Sequence, residues 1–506
     1  MNIHVVVTFA LYLLLMLGIG IYFSRKTLDL GDYYLGGRRM NKWVVALSAQ
    51  ASDMSGWLLM GLPGAIYLSG LSESWIGLGL AAGTYLNWRF VARRLRRFSH
   101  ACGDAITIPD FLSNRFHDAS GVVRMVSAFI ILAFFLFYTA SGFVACAKLF
   151  ETTFGLRYDL ALTLGAFVIV SYTLMGGFSA VCWTDVIQGS IMFFAIVAVP
   201  VACVFNAGGA GEALALIKGV NPDLLSFTTS ASTGAGVGAL GLVSSLAWGL
   251  GYFGMPHILV RFMAIDDEKN IAASRRIAMA WVLVSLAAAI LVGLLGHAFV
   301  SKSGVVIDDP EKVYMLMIKG LFHPLLIGVL MSAILAAIMS TADSQLLVSA
   351  SAFVNDFYKT TLRRSAGTRE LMWASRLTVA AVAVLAAIMA SRPDSDFVKA
   401  VMKLVSFAWG GFGSAFGPVI LLALFWRRTT LAGAVSGMVA GAATAFIWKF
   451  KLSALAAQHP VFGLYELAPG FAICLFVAVV VSLLGKPPSA ETVEEFDRMA
   501  AGGRLS

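Results

Sequence analysis

Long apolar runs recur along the whole chain and constrain its fold more than any other feature. A helix needs about 20 mainly apolar residues to cross a bilayer. Of the 506 residues, 59% are hydrophobic and 13% are charged, whereas about 25% of a soluble domain is charged. The sequence therefore predicts an all-α polytopic membrane protein. Thirteen transmembrane helices are predicted, near residues 3–23, 43–69, 73–92, 122–150, 158–176, 180–206, 236–256, 275–300, 322–352, 371–391, 397–425, 431–450 and 467–485.

The distribution of basic residues predicts how these helices are oriented. The first run is followed by Arg25 and Lys26 and preceded by no basic residue, which is the reverse of a signal peptide. With the N-terminus outside, the predicted inner loops, including 257–276, hold 26 of the 37 Lys and Arg residues. Loops that face the cytoplasm carry such an excess. We expect a multi-pass protein with an outer N-terminus, a cytoplasmic C-terminal tail at 486–506, and short surface helices in the long outer loops.

Motifs for ATP-driven transport or hydrolysis are missing from the sequence. It contains no Walker A motif, no zinc-ligand spacing, no GxSxG and no HExxH. The net charge of +9 is explained by the short loops, so no nucleic-acid partner is expected. The chain is predicted not to be an enzyme.

The second predicted helix carries a charge and several helix-weakening residues in "SAQASDMSGWLLMGLPG", residues 48–64. A charge at mid-bilayer costs roughly 2.5–3.5 kcal/mol, so Asp53 should face a cavity and a partner. Ser55, Gly56 and the Pro63–Gly64 pair favour a helix that breaks midway, which frees carbonyls for a cation and amides for an anion. The alternative is a Gly-rich helix that packs closely on its neighbours, with Asp53 as a cap.

The stretch "AWGLGYFGMPHI", residues 247–258, has the same character five helices later. Paired interrupted helices in corresponding positions indicate an inverted-repeat transporter. The predicted repeats are residues 43–206 and 236–425, five helices each. Helix 1 (1–30) and the last two helices (431–485) would be peripheral.

A third polar stretch, "SAILAAIMSTADSQLL" at 332–347, places Ser340, Thr341, Asp343 and Ser344 within just over one turn. Hydroxyl oxygens suit a hard cation, and they can equally bond back to their own helix. Asp185 in "CWTDVIQ" either pairs with a basic loop or joins Asp343 and Ser344 in a second ion or release site. The aromatic residues Tyr138, Trp248 and Tyr252 fit either an ordinary core or the wall of a pocket.

Several longer motifs resemble the sodium:solute symporter family, and within it the carriers of proline. The resemblance covers nearly the whole chain. Its motifs are "DYYLGGRRM" (32–40), "ASDMSGWLLMGLPGA" (51–65), "SGLSESWI" (69–76), "YTLMGGFSA" (172–180), "WGLGYFGMPHILVRFMA" (248–264), "SAILAAIMST" (332–341) and "RRTTLAGAVSGMVAG" (427–441).

This resemblance implies a five-plus-five inverted-repeat (LeuT-type) core in a bacterial inner membrane. It also implies symport of Na⁺ and L-proline, with Na⁺ as the co-transported ion and no organic cofactor. By position it assigns carbonyls of Ala51, Met54 and Ala337, hydroxyls of Ser340 and Thr341, and the field of Asp53 to Na⁺. The implied proline pocket comprises Ser55, Gly56, Trp57, Tyr138, Trp248, Tyr252 and Pro256. Arg38 matches a basic residue of an inner loop that is linked to coupling.

The chain departs from the pattern of the proline carriers at Met255, where they often have Gln. Asp343 also replaces a small polar residue of those carriers, although "STADSQ" (340–345) suits the wider family. Alternatives are therefore a Na⁺-coupled symporter of another small solute, such as a different amino acid, a carboxylate or a sugar. A transporter-like membrane sensor is an alternative of another class. The short tail after Lys486 disfavours it, since a sensor needs a signalling domain.

Overall fold

The computed structural model describes residues 3–24, 30–174, 177–392 and 395–501. Within these ranges the chain is helical and holds no β-strand beyond two isolated bridges. Arg25, Lys26 and the centre of the 172–180 motif lie outside the described residues. The helices are α1 (Ile3–Ser24), α2 (Leu30–Leu35), α3 (Lys42–Asp53), α4 (Leu62–Ser69), α5 (Ser74–Leu86), α6 (Ala92–Ala101), α7 (Ile108–Arg115), α8 (Val122–Phe154), α9 (Tyr158–Thr173), α10 (Phe178–Ala207), α11 (Ala210–Val220), α12 (Ala239–Ala247), α13 (Pro256–Ala264), α14 (Ile271–Ser303), α15 (Val313–Leu321), α16 (Pro324–Phe353), α17 (Thr368–Ala390), α18 (Asp396–Lys399), α19 (Val401–Phe425), α20 (Leu431–Phe450), α21 (Leu467–Leu484) and α22 (Ala490–Ala501).

Nine helices among the described residues are long and apolar enough to cross a membrane, or ten if the bent pair Lys42–Asp53 and Trp57–Ala101 is one span. Two shorter apolar helices, Tyr158–Thr173 and Ala239–Gly254, lie at the positions of two more predicted spans. The all-helical membrane architecture predicted from the sequence is confirmed. The count of thirteen and the division into two repeats stay predictions.

Large apolar side chains cover the outside of the bundle. Phe129, Phe167, Phe205 and Leu377 are each at least 70% exposed. Water-soluble monomers rarely expose broad apolar surface, so this face is suited to lipid.

Helix α16 forms the centre of the bundle. Every residue from 331 to 347 is buried, and the helix packs against α1, α3, α8 and α10. Its alanines allow this close approach, because small side chains let helix backbones come together in a membrane. The packing brings the polar turn of α16 against the end of α3.

The two long loops that the sequence analysis assigns to the outside contain short helices, as predicted, α11 and α15. The predicted tail is also folded, because α22 packs against α6 at the other end of the molecule. There the ring of Phe496 lies 5.5 Å from that of Phe98 and 4.8 Å from the guanidinium carbon of Arg115.

Candidate functional site

The first interrupted helix breaks where the sequence predicts. Helix α3 ends at Asp53, Met54 has non-helical dihedral angles (φ −84°, ψ 73°), and a π-helical turn begins at Trp57. The segments on either side differ in direction by 57°. In the break, the Ser55 N–H donates to the Asp53 carbonyl at 3.0 Å instead of making a regular helical bond.

The second interrupted helix also breaks at its glycines. Helix α12 passes into a 3₁₀ segment, Trp248–Gly254, and Met255 is extended (φ −81°, ψ 105°) before α13 begins at Pro256. A Cβ atom on Gly251 would lie 2.0 Å from Nε1 of Trp409. That indole donates a hydrogen bond to the Trp248 carbonyl at 2.8 Å. Glycine at position 251 therefore leaves the room that Trp409 needs to bond to this carbonyl of the broken helix.

Four of the oxygens that the family resemblance assigns to Na⁺ lie together between α3 and α16. The Ser340 hydroxyl lies 2.8 Å from the Ala51 carbonyl and 3.2 Å from the Ala337 carbonyl. The Thr341 hydroxyl lies 3.4 Å from the same Ala51 oxygen. Ser340 therefore bonds both to its own helix and across to α3, and the group is buried. Met54 is fully buried at the break itself.

The carboxylate of Asp53 faces the other broken helix. Its Oδ2 accepts a hydrogen bond of 2.5 Å from the Tyr252 hydroxyl. Its Oδ1 is buried and has no hydrogen-bond partner among the described residues. A bound cation or a proton would offset the cost of burying this oxygen without a partner.

The aromatic residues of the implied pocket pack against side chains that the sequence reading missed. Tyr252 contacts Trp409 edge to face at 4.9 Å, and Trp248 stacks on Tyr465 at 5.1 Å. Tyr138 lies edge to face with His257 at 6.0 Å. The glycines flanking Trp409, in "AWGGFG", are a signal of close packing that could have found it.

The indole of Trp57 donates to the Asp53 carbonyl at 3.0 Å. A Cβ atom on Gly56 would lie 3.0 Å from Cβ of Ala145 on α8. The first break is therefore held by a hydrogen bond across it and by close packing against α8.

A second polar cluster adjoins the oxygens of Ser340 and Thr341. Oδ2 of Asp185 accepts from the hydroxyls of Ser48 (2.7 Å) and Ser52 (3.0 Å). The same oxygen forms a fully buried ion pair of 3.0 Å with Arg261, which also donates to the Ser344 hydroxyl at 2.6 Å. Ser344 in turn donates to the Ser340 carbonyl at 2.8 Å.

Asp343 joins this cluster through Oδ1, which accepts from Ser344 at 3.2 Å. Asp185, Asp343 and Ser344 are therefore brought together, as one alternative of the sequence analysis expects. The basic partner of Asp185 is Arg261, which the sequence analysis counted in the inner loop 257–276. That placement is wrong, because Arg261 lies inside α13 and is completely buried.

Arg38 lies at the predicted inner end and joins three segments. Its Nε pairs with Asp104 at 2.6 Å, and its other nitrogens donate to the carbonyls of Met263 (2.5 Å) and Ala105 (2.7 Å). Burial lowers the pKa of the Arg38 guanidinium, and Asp104 partly offsets that shift. The residue holds the end of α13 against the loop that follows α6.

The opposite end is closed by a buried ion pair. Lys148 of α8 lies 2.6 Å from Glu311 and 2.8 Å from Asp309. The Glu311 carboxylate also accepts from the amides of Val401 (3.1 Å) and Met402 (3.0 Å) at the start of α19. Three segments therefore meet at one carboxylate.

A narrow cleft leads from the second polar cluster towards the end that carries Arg38. It opens between α7, α10, α13 and α16, and its walls include Tyr34, Thr107, Phe178, Pro256, Arg261 and Ser344. An ion pair therefore holds the Lys148 end together, and this small cavity lies between the second polar cluster and the other end.

Residues 33–441 match the sequence profile of the Sodium:solute symporter family. The osmoregulated proline transporter OpuE of Bacillus subtilis (strain 168) is 46% identical over 499 residues, covering 99% of this chain and 98% of that protein. The sodium/proline symporter of Escherichia coli (strain K12) is 46% identical over 497 residues, covering 97% and 95% of the two chains.

Among solved structures, a Na⁺-coupled sialic acid symporter in a substrate-bound outward-open state aligns with a TM-score of 0.78. The alignment covers 96% of this chain and 99% of that chain at 19% sequence identity. The match shows that the two proteins share a fold.

Proposed function

The chain belongs to the sodium:solute symporter family, and we propose on this premise that it couples the inward movement of Na⁺ to the uptake of L-proline. Two relatives of 46% identity over nearly the full chain are a proline transporter and a sodium/proline symporter, which supports proline over another amino acid, a carboxylate or a sugar. The transport reaction moves two solutes and breaks no covalent bond, so we propose that the protein is not an enzyme.

The observation that carries this proposal is the contact of the Ser340 and Thr341 hydroxyls with the Ala51 carbonyl. Na⁺ is a hard cation and prefers such oxygens. When Na⁺ binds, the hydroxyl hydrogens turn away and all of these oxygens face the ion. The cation then replaces a pair of hydrogen bonds as the link between α3 and α16, with the carbonyls of Ala337 and Met54 completing the set.

We place proline between the two breaks, next to this ion. Its carboxylate would meet the amides of Gly56 and Trp57, where the π-helical turn begins, because the start of a helical segment favours negative charge. Ser55, whose own amide bonds to the Asp53 carbonyl, would lie beside it. Its ring would pack on the aromatic side chains of Tyr138, Trp248 and Tyr252 and against Pro256. The buried and unpartnered Oδ1 of Asp53 supports a role for this residue beside a cation, through its field.

Na⁺ and proline then stabilise the same closed arrangement of the broken helices, so each raises the affinity for the other. The Lys148–Glu311 pair closes the outer end, and the cleft below Arg261 is the inner exit. The Asp185–Asp343–Ser344 cluster lines the route to that exit, and the Arg261 guanidinium already bonded there supports a release role rather than a second resident ion. Arg38 couples the inner loop to α13. Exchange between the two open states is a rocking of helix groups.

This orientation puts the N-terminus outside and the C-terminus in the cytoplasm of a bacterial inner membrane. One Na⁺ moving inward through about 100 mV releases roughly 2.3 kcal/mol. That amount supports on the order of 50-fold accumulation of proline before any Na⁺ concentration gradient is added.

Uptake into proteoliposomes that contain the purified full-length protein tests the proposal. We expect radiolabelled proline to accumulate only with an inward Na⁺ gradient and to be displaced by unlabelled proline more strongly than by other amino acids, carboxylates or sugars. Equal uptake with K⁺ in place of Na⁺ would contradict the coupling. Stronger displacement by another solute would keep the coupling and reject proline.

A further inference from the structure

A basic cleft opens between the end of α5 and the start of α14, on the side that carries Arg38. Its volume is about 410 Å³, and its walls include Trp88, Arg89, Arg93, Glu268, Lys269 and Arg275. It contains none of the residues assigned to Na⁺ or proline, although Trp88 packs on Phe262 of α13 at 4.5 Å.

The cleft holds more positive charge than its one carboxylate can balance. Glu268 already pairs with Arg93 at 3.1 Å and with Arg97, outside the cleft wall, at 3.0 Å. Arg89, Lys269 and Arg275 have no carboxylate within 4.0 Å among the described residues. The guanidinium groups of Arg89 and Arg275 instead lie over aromatic rings, at 5.4 Å and 5.6 Å.

One wall of the cleft, residues 88–93, continues helix α5, and the exposed face of this segment indicates where the cleft lies relative to the membrane. Leu78, Leu86 and Phe90 are 40–51% exposed and form an apolar stripe along one face of the helix. Arg93, whose side chain is 59% exposed, follows on the same face. Phe90 and Arg93 are about 4.5 Å apart along a helix axis, so the surface changes from apolar to charged within one turn.

The surface of the second wall, α14, also changes from apolar to charged along the helix. Leu283, Val284 and Leu291 of α14 are 42–53% exposed, while Lys269 and Arg275 lie at or before its first turns. A boundary where apolar surface gives way to exposed cations is typical of the headgroup region. Both walls therefore place the cleft where lipid phosphates lie.

We propose that this cleft binds the phosphodiester headgroup of an anionic phospholipid from the adjacent leaflet. Guanidinium groups bind phosphate oxygens through paired hydrogen bonds, and Arg89, Lys269 and Arg275 supply the charge that Glu268 leaves unbalanced. The acyl chains follow the apolar stripe that ends at Phe90. Basic pockets between membrane helices on the cytoplasmic side bind anionic lipids in this way.

The bound lipid holds the segment between the second broken helix and α14. Arg96, one turn beyond Arg93, donates to the Ile265 carbonyl at 2.7 Å in this segment, and Arg38 donates to the Met263 carbonyl just before it. Occupancy of the cleft therefore stabilises the inner end of the bundle, whichever solute the protein carries.

The test compares Arg89→Gln/Lys269→Gln/Arg275→Gln with a control of equal charge loss, Arg363→Gln/Arg364→Gln/Arg369→Gln, in the loop before α17 and its first turn. Purified full-length protein in detergent is titrated with phosphatidylglycerol, phosphatidylcholine or inorganic phosphate. Bound lipid is counted by native mass spectrometry, and thermal denaturation is followed in parallel. We expect phosphatidylglycerol to bind and to raise the denaturation temperature of the unmodified protein, with affinity lowered at least about tenfold in the cleft variant and unchanged in the control.

Equal losses in the cleft variant and the control would overturn the proposal, because binding would then follow net charge. Equal stabilisation by inorganic phosphate and phosphatidylglycerol would also overturn it, since a free anion would then be the occupant. If the triple variant does not fold, Lys269→Glu replaces it, because Lys269 is exposed and its charge reversal leaves the helix packing intact. Unchanged phosphatidylglycerol affinity in Lys269→Glu would count against the cleft.

Discussion

The Tyr252 hydroxyl donates to Oδ2 of Asp53 at 2.5 Å, and this hydrogen bond joins the two interrupted helices. The two residues are 199 positions apart in the sequence. Each sits at the point where its own helix departs from regular geometry. The bond therefore transmits a change at one break to the other.

Tyr252→Phe should impair transport while it keeps the aromatic ring. The change leaves the side-chain carboxylate of Asp53 without a protein donor among the described residues, and a hydrogen bond to a charged group contributes about 1.5–3 kcal/mol. We expect Vmax/KM for proline at fixed Na⁺ to fall on the order of 10- to 100-fold, measured as initial uptake into proteoliposomes. Tyr314→Phe is the matched control, because that buried hydroxyl has no partner among the described residues. Equal loss in both variants would show that the Asp53 contact has no special role.

Ser340→Ala should weaken the response to Na⁺ more than the response to proline. It removes one cation ligand and the hydroxyl that links α16 to Ala51. We expect the half-saturating Na⁺ concentration to rise about tenfold, read from uptake at saturating proline. Ser349→Ala, on the same helix with a buried and unpartnered hydroxyl, should leave it unchanged. A Na⁺ response that stays normal in Ser340→Ala would remove this hydroxyl from the ion site.

Asp185 and Arg261 should behave as a pair. Asp185→Asn or Arg261→Gln alone leaves a buried charge without its partner, which costs about 3–5 kcal/mol. We expect each single variant to lower the denaturation temperature of the purified protein, and the double variant to recover part of that loss. Strictly additive effects would mean that the pair contributes nothing to folding as a pair.

Glu311→Gln should slow maximal uptake, because the Glu311 carboxylate bonds both to Lys148 and to the amides at the start of α19. The loss of a buried charge pair is costly, whereas the half-exposed pair of Lys312 with Glu151 contributes about 0–1 kcal/mol. Lys312→Met is therefore the control and should transport normally. If Lys312→Met slows uptake as much as Glu311→Gln, the outer ion pair is not a specific closure.

Both helix breaks could be predicted from sequence because their signals are local. Glycine, proline and serine next to Asp53 weaken the helix over a few residues, and the same is true before Pro256. The hydroxyls of Ser340 and Thr341 stood out for the same reason, since polar residues are rare in an apolar run. Composition and hydropathy were likewise enough to predict a helical membrane bundle.

The partners of these residues could not be predicted, because they come from distant helices. Arg261 follows a proline and precedes a charged loop, so its position indicated the inner surface. Only the packing of α13 against α3 shows that it reaches Asp185 of α10, 76 residues away. Trp409 and Lys148 were missed for the same physical reason, since neither hydropathy nor helical spacing records which helices become neighbours.

The packing of Phe496 against Phe98 and Arg115 has a practical consequence for anyone who attaches a reporter to this protein. Helix α22 packs against α6, and its Phe496 ring contacts Arg115 of α7. An affinity tag or fluorescent fusion joined close to Ala501 would therefore disturb this packing. A flexible spacer after α22, or a fusion at the N-terminus, would leave the packing of α22 on α6 undisturbed.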